Sequence, residues 1–334
     1  MGRYWDNSYN NFQYSYVNVA VDEYKYHTVA IDRLGVGLSS HGEPLNEIQA
    51  PLEVAALAEI TRKLRDGTFP GISKPYEKVV HVGYVVNPSF PAPCVCAVQS
   101  EMLMSFTYAS HSFGAAQSYA LANLYPSLTN GIILTGFTLN GTFVPFFVAG
   151  SNFVLASTNQ PFRLGSSALS DPNVPNADGI IDYSAPPTPS PLHYPTGYLT
   201  NANVGSTQYL FFLPGYFDSA LLLAGEKTKQ PVTPGELLTL PSLPPTNNFC
   251  GPVLVFTGDA DLPYCGGDCL ATGDPSVPDI PSQVAKAFPD AVGKGDFESY
   301  VQPRTGHGLN FHFNATEGYK VIQGFLRRKG LASQ

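Results

Sequence analysis

Charged side chains are scarce in this 334-residue chain: 18 Lys and Arg and 26 Asp and Glu make up 13% of it, against a hydrophobic share of 43%. The net charge is -8, and no basic run exceeds Arg327-Arg328-Lys329. The chain therefore has no electrostatic footprint for nucleic acid or for an anionic membrane surface. No apolar stretch reaches the ~18 residues that a membrane-spanning helix needs. The opening MGRYWDNSYNN is polar and aromatic, not a charged segment followed by an apolar one, so no signal peptide is read in the chain as written. Cysteine is also sparse. The five present, Cys94, Cys96, Cys250, Cys265 and Cys269, are an odd number, and Cys265-Gly-Gly-Asp-Cys269 lacks a matching Cys or His pair at zinc spacing. Neither a metal nor a cofactor is expected, and a disulfide among Cys250, Cys265 and Cys269 is favoured. Asn140-Gly-Thr and Asn314-Ala-Thr are glycosylation sequons, which with the cysteines lean toward a secretory origin.

Glycine (31) and proline (30) are abundant, which predicts many turns and long irregular connections. The β-branched run His27 to Asp32 predicts a strand, and the glycines of Asp32-Arg-Leu-Gly-Val-Gly-Leu-Ser-Ser40 a loop after it. Leu52, Ala56, Ile60 and Leu64 recur at helical spacing until Asp66-Gly67. A strand at Lys78 to Val82, a helix at Ala115 to Tyr125 and a strand at Gly131 to Phe137 follow. Past a proline-rich region, the alternation resumes with a strand at Pro252 to Thr257, a helix near Ile280 to Phe288, a strand at Phe297 to Val301 and a helix at Thr316 to Arg328. Such alternation predicts an α/β fold, a mostly parallel sheet flanked by helices. Residues 1-137 and 247-334 would form its core. Residues 138-246, with helical stretches near Thr207 to Ala224 and Pro234 to Leu240, would form an inserted Pro-rich cap.

Three chemically capable residues fall at the carboxyl ends of successive predicted strands, where open α/β sheets hold ligands. They are Ser112 in His-Ser-Phe-Gly, Asp261 in Thr-Gly-Asp-Ala-Asp-Leu-Pro and His307 in Thr-Gly-His-Gly. A serine hydroxyl becomes a nucleophile when an imidazole takes its proton and a carboxylate steadies that imidazole. Small residues after the serine, here Gly114 and Ala115, let a tight turn lift Oγ above the sheet at a helix amino end. Each candidate has an ordinary alternative. Ser112 could be a helix N-cap, Asp259 could be the acid, and His312 could be the base. His27 and His81 read as structural histidines, Asp32 as a loop-fixing residue and His111 as pocket lining.

The order serine, acid, histidine on this alternation, together with Asp-Arg-Leu-Gly-x-Gly-x-Ser-Ser, resembles the α/β-hydrolase fold family and its fungal members. The resemblance spans roughly residues 4 to 328. It implies Ser112 as nucleophile, Asp261 as acid, His307 as base and the Phe113 N-H as one oxyanion donor. The implied activity is cleavage of an ester, lactone or related acyl bond through an acyl-serine, with a small-molecule acyl substrate. An amidase or aminopeptidase of the same fold, or a non-catalytic relative, are the alternatives. The cap is expected to roof an apolar pocket, with His111, Phe143, Phe146, Phe147, Tyr209, Phe211, Phe212, Tyr216 and Phe217 as candidate lining. In the family, strands precede the part matching Tyr4-Trp-Asp, and one ends in a His-Gly loop that supplies the second oxyanion donor. No His-Gly precedes His27, so a signal peptide, those strands and that donor are expected upstream of this start.

The family pattern also runs the strand straight into Gly-His-Ser-Phe-Gly, whereas here Tyr84 to Ser110 separate Gly83 from His111, and Ser110 stands where the glycine would. Three explanations are open. The stretch is a retained intron or gene-model error, a genuine surface insertion at a connection where long loops are uncommon, or a source of a new strand, with Met102 to Ala109 displacing Lys78 to Val82 before the turn.

Overall fold

The computed structural model describes residues 2-72, 74-82, 105-109, 111-165, 194-240 and 243-332, with side chains at all of these except positions 2, 3, 82, 105-109 and 162. Six strands form one sheet: β1 (His27–Val29), β2 (Lys78–Val82), β3 (Ser105–Ala109), β4 (Gly131–Thr135), β7 (Val253–Ala260) and β8 (Phe297–Gly306), in the order β1-β3-β2-β4-β7-β8. Every pairing in it is parallel. Parallel strands need crossovers, and helices supply two of them, α1 (Ala50–Asp66) between β1 and β2 and α2 (Phe113–Leu124) between β3 and β4; α8 (Ala315–Arg328) follows the last strand and packs on the sheet. This is the α/β architecture expected from the alternation.

Both faces of the sheet are covered, so its inner strands are apolar at consecutive positions rather than alternate ones. Val79, Ile132, Leu134, Val253 and Val255 face a cluster with Val54, Leu57, Ala116 and Leu121 from α1 and α2. Their neighbours Val80, Ile133, Leu254 and Phe256 point the other way, onto Tyr319, Ile322, Phe325 and Leu326 of α8 and onto Trp5 and Tyr16. Those α8 residues recur every three or four positions, which is what places them on one helix face. α1 stops where Gly67 takes φ 68°, a left-handed cap that costs glycine nothing.

The stretch between Gly83 and His111 contributes β3, which leads toward the turn at Ser112. It does not displace β2. β3 lies beside β2 in register, Lys78 opposite Ser105 through Val82 opposite Ala109, and β1 pairs with its other edge. Of the three explanations for this stretch, a new strand before the turn agrees with the sheet in part: β3 leads to the turn, but β2 stays in the sheet, keeping its pairing with β4 while β3 fills the lane between β2 and β1. Residues 83-104 and Ser110 lie outside the described residues.

Between β4 and β7, α3 (Val144–Ser151), α4 (Val204–Phe211), α5 (Ser219–Thr228) and α6 (Pro234–Thr239) alternate with loops, and β5 (Val154–Leu155) pairs antiparallel with β6 (Leu199–Thr200). The single predicted helix at Thr207 to Ala224 is two, α4 and α5. α6 begins in a capping box, with the Thr233 side chain accepting from the Glu236 N-H and the Glu236 carboxylate from the Thr233 N-H. No helix among the described residues is long and apolar enough to cross a membrane.

A buried ionic cluster joins these pieces beneath α2. The Arg33 guanidinium donates to Glu53 Oε1 (3.0 Å), pairs with Glu236 and lies 5.1 Å from the centre of the Phe113 ring. Gln117 Nε2 donates to Glu53 Oε2 at 2.5 Å. Two carboxylates share one guanidinium away from water, and burial pushes Glu53 up to about 7 against the opposing pull of Arg33. A carboxyl raised on folding binds its proton more tightly in the native state. Stability from this group should therefore fall by about 3 kcal/mol as pH rises from 4.5 to 7 and then level off. Glu53→Gln should flatten that slope in melting temperature measured from pH 5 to pH 8, because the Gln117 Oε1, which has no partner among the described residues, can turn to accept the new amide.

Candidate active site

Ser112 stands at the amino end of α2 with φ 58° and ψ -106°, a conformation that costs a non-glycine residue on the order of 1–3 kcal/mol. Its N-H donates to the Thr135 carbonyl at the end of β4 (2.9 Å), which fixes the turn to the sheet. The position is an N-cap, but the side chain makes no capping bond. Instead Ser112 Oγ lies 2.7 Å from His307 Nε2.

His307 Nδ1 lies 2.7 Å from Asp261 Oδ2, and both side chains are fully buried. Asp261 follows β7 and caps the short helix α7 (Leu262–Cys265): its Oδ1 accepts from the Tyr264 N-H (3.1 Å) and its Oδ2 from the Thr257 hydroxyl (2.5 Å). With three donors around it, the carboxylate needs no water. Because an ionised carboxylate only accepts, Nδ1 of His307 must carry the hydrogen, which leaves Nε2 with a lone pair facing the serine O-H.

The Thr-Gly-His-Gly turn at the end of β8 is shaped by close backbone approach. A Cβ on Gly308 would lie 2.9 Å from the Phe211 carbonyl oxygen, to which the Gly308 N-H donates at 2.8 Å. His312 holds the same turn from beneath. Its Nε2 accepts from the N-H groups of Gly306 (3.0 Å) and Leu213 (2.9 Å), and its Nδ1-H donates to the Gly308 carbonyl (3.0 Å). Burial lowers it to about 4, so it stays neutral and keeps that acceptor. His312 is thus fully engaged as a brace and does not meet Ser112. Asp259 is likewise engaged, its two oxygens accepting from the N-H groups of Arg304 (2.7 Å) and Thr305 (2.9 Å), so it braces β8.

His81 on β2 bonds Thr61 (2.9 Å) and is lowered to about 3 by burial, and His27 bonds the Tyr76 hydroxyl (2.7 Å). Asp32 accepts from the Leu38 N-H (3.1 Å) within its own loop. His111 lies between Tyr4 and His307, with ring centres 5.1 and 4.7 Å away. Burial and the neighbouring imidazole push His111 well below the usual histidine range, so it adds no positive charge beside His307.

The aromatic residues expected to line a pocket divide. Phe147 and Phe211 reach His307, with ring centres 5.9 and 5.8 Å from it. Phe143 rests on the turn after Asp261, where a Cβ on Gly266 would come within 2.6 Å of its ring. Phe146 and Tyr209 are more than half exposed (57% and 53%), and Tyr216 is 40% exposed. Phe212 is 4% exposed, stacked on Phe311 (4.8 Å) and edge-on to Phe217 (4.8 Å), because at the end of α4 its side chain turns away from its neighbour Phe211 toward His312. It belongs to the core.

Cys265 and Cys269 form a disulfide that closes the loop after α7, within the trio named from the sequence, and Cys250 is also disulfide-bonded. Cys94 and Cys96 lie outside the described residues. Of the two sequons, Asn314 is committed to the fold, its side chain bonding Pro303 and Thr305.

No family model and no curated protein matches the chain. Among solved structures it is similar to an alpha/beta hydrolase fold protein from Chitinophaga pinensis (16% identity, TM-score 0.42, covering 89% of this chain and 77% of that one). It is also similar to a methylesterase from Arabidopsis (12%, TM-score 0.44, 88% and 84%) and to an E-2-(acetamidomethylene)succinate hydrolase (15%, TM-score 0.41, 89% and 80%). These are likenesses of outline at low identity.

Sequence reasoning passed over two residues of the site, Thr257 and Tyr264. Both belong to the stretch Thr-Gly-Asp-Ala-Asp-Leu-Pro-Tyr, and their offsets from Asp261, four before and three after, were the available signal.

Proposed function

We propose that this chain is a serine hydrolase of the α/β-hydrolase type that cleaves an ester, lactone or related acyl bond through a covalent acyl-Ser112. The observation that carries this reading is the continuous relay from Ser112 Oγ to His307 Nε2 and from Nδ1 to Asp261 Oδ2, each step 2.7 Å, at a serine in a strained turn.

In the proposed cycle, Oγ attacks the acyl carbon while His307 Nε2 takes its proton. Asp261 balances the imidazolium that forms. The carbonyl oxygen becomes an oxyanion and accepts from the Phe113 N-H at the amino end of α2, where an unpaired N-H and the helix dipole both favour negative charge. No described residue accepts from that N-H. His307 then gives its proton to the departing oxygen, leaving the acyl group on Ser112. Water, deprotonated by the same Nε2, attacks the ester and releases the acid, and the proton returns to Oγ.

Phe147 and Phe211, packed on each other and on His307, favour an apolar group next to the reacting carbon. A p-nitrophenyl ester series of increasing acyl length should therefore be hydrolysed with an initial burst of p-nitrophenol. Ser112→Ala should show no burst and no turnover above that of buffer. A wild-type protein that is folded yet inert toward the ester series and the matching anilides would support the non-catalytic alternative. Turnover of the anilides at rates comparable with the esters would make it an amidase.

A further inference from the structure

Tyr264 is held unusually firmly for a residue outside the relay. Its N-H donates to Asp261, the carboxylate that also holds His307, and Cys265 beside it is tied to Cys269. Its ring packs on Phe137 (centres 5.9 Å apart) and on His307 (5.8 Å), and only 8% of the residue is exposed. This packing sets the phenol beside Ser112, close enough for the two side chains to interact. The contact has a sense. Ser112 O-H donates to His307 Nε2, so toward the phenol the serine oxygen can only accept, and the tyrosine O-H is the group free to donate. Burial first, and the nearby Asp261 charge second, push the phenol up, so it keeps its proton and cannot act as a base.

Once Oγ has attacked, it is bonded to the acyl carbon and is no longer the best acceptor nearby. The negative oxygen on that same carbon is one bond angle away. We propose that the Tyr264 hydroxyl turns to this oxygen and serves, with the Phe113 N-H, as the second donor of the oxyanion hole. The inference rests on the acyl-serine chemistry proposed above and adds a catalytic residue to it. The donor comes from the acid-bearing loop, so the element that orients the base would also stabilise the charge the base helps create. No proton leaves the phenol in any step. It turns its O-H to the oxyanion and away again.

The test is Tyr264→Phe, which keeps the ring and its packing and removes the one hydroxyl. With a p-nitrophenyl ester, kcat should fall about 10²–10³-fold, the usual effect of losing one oxyanion donor, with KM little changed. A trifluoromethyl ketone that forms a tetrahedral adduct with Ser112 should lose affinity by a similar factor. If Tyr264→Phe lowers the melting temperature, 3-fluorotyrosine at 264 keeps both hydroxyl and ring, and rates of wild-type order are expected from it. Unchanged kcat and unchanged ketone affinity in Tyr264→Phe would overturn the proposal, as would a loss confined to KM. An inert wild type would remove both this inference and the hydrolase reading, whereas an active wild type with an undiminished Tyr264→Phe would remove this one alone.

Discussion

Replacing His307 by alanine is expected to lower kcat/KM on the order of 10⁶-fold, the scale found when the base of a Ser-His-Asp relay is deleted. The described residues offer no substitute. His312 has both ring nitrogens committed to backbone groups, and its neutral form is what holds the turn. His111, although it is the next imidazole, points its Nδ1 toward the Thr135 hydroxyl at 3.3 Å. The loss should appear in kcat, since the imidazole does its work as charge develops, and the melting temperature should be followed beside it because the ring fills space against Phe147 and Phe211. A residual rate within tenfold of wild type would mean that another base serves Ser112.

Asp261→Asn is expected to cost about 10⁴-fold in kcat, as the same change does in serine proteases. The cause here is the tautomer, not collapse of the loop. Asparagine can still accept from the Tyr264 N-H through its amide oxygen, so α7 keeps its cap. Its NH₂ would then stand where Oδ2 meets Thr257 and His307. A donor at that position calls for the lone pair of Nδ1, which moves the ring hydrogen to Nε2 and turns a donor toward Ser112. The serine proton then has no acceptor. The melting temperature should change little, and a fall in kcat below tenfold would argue that the carboxylate does not set the imidazole.

The alternation of strands and helices was legible because buried parallel strands need unbroken apolar runs, and the helices over them repeat every three or four residues. The trio of Ser112, Asp261 and His307 could be found for a related reason: each sits where a predicted strand gives way to a turn rich in small residues. What chain order could not reveal was lateral placement. Ser105–Ala109 has the β-branched and aromatic character of a strand, but only its pairing shows that it lies between β1 and β2. Aromatic identity likewise could not distinguish Phe211, which faces His307, from Phe212, which is packed in the core, since one residue of rotation at a helix end decides it. The brace roles of Asp259 and His312 depend on backbone N-H groups, which no side-chain pattern encodes.

The central claim is that one hydroxyl, on Ser112, is made nucleophilic by His307. Reaction of the intact protein with a fluorophosphonate, followed by peptide mass mapping, tests it most directly. The account predicts a single covalent adduct on Ser112, absent in Ser112→Ala and formed far more slowly in His307→Ala. Folded wild-type protein that stays unlabelled, or that carries the adduct on another residue, would contradict it.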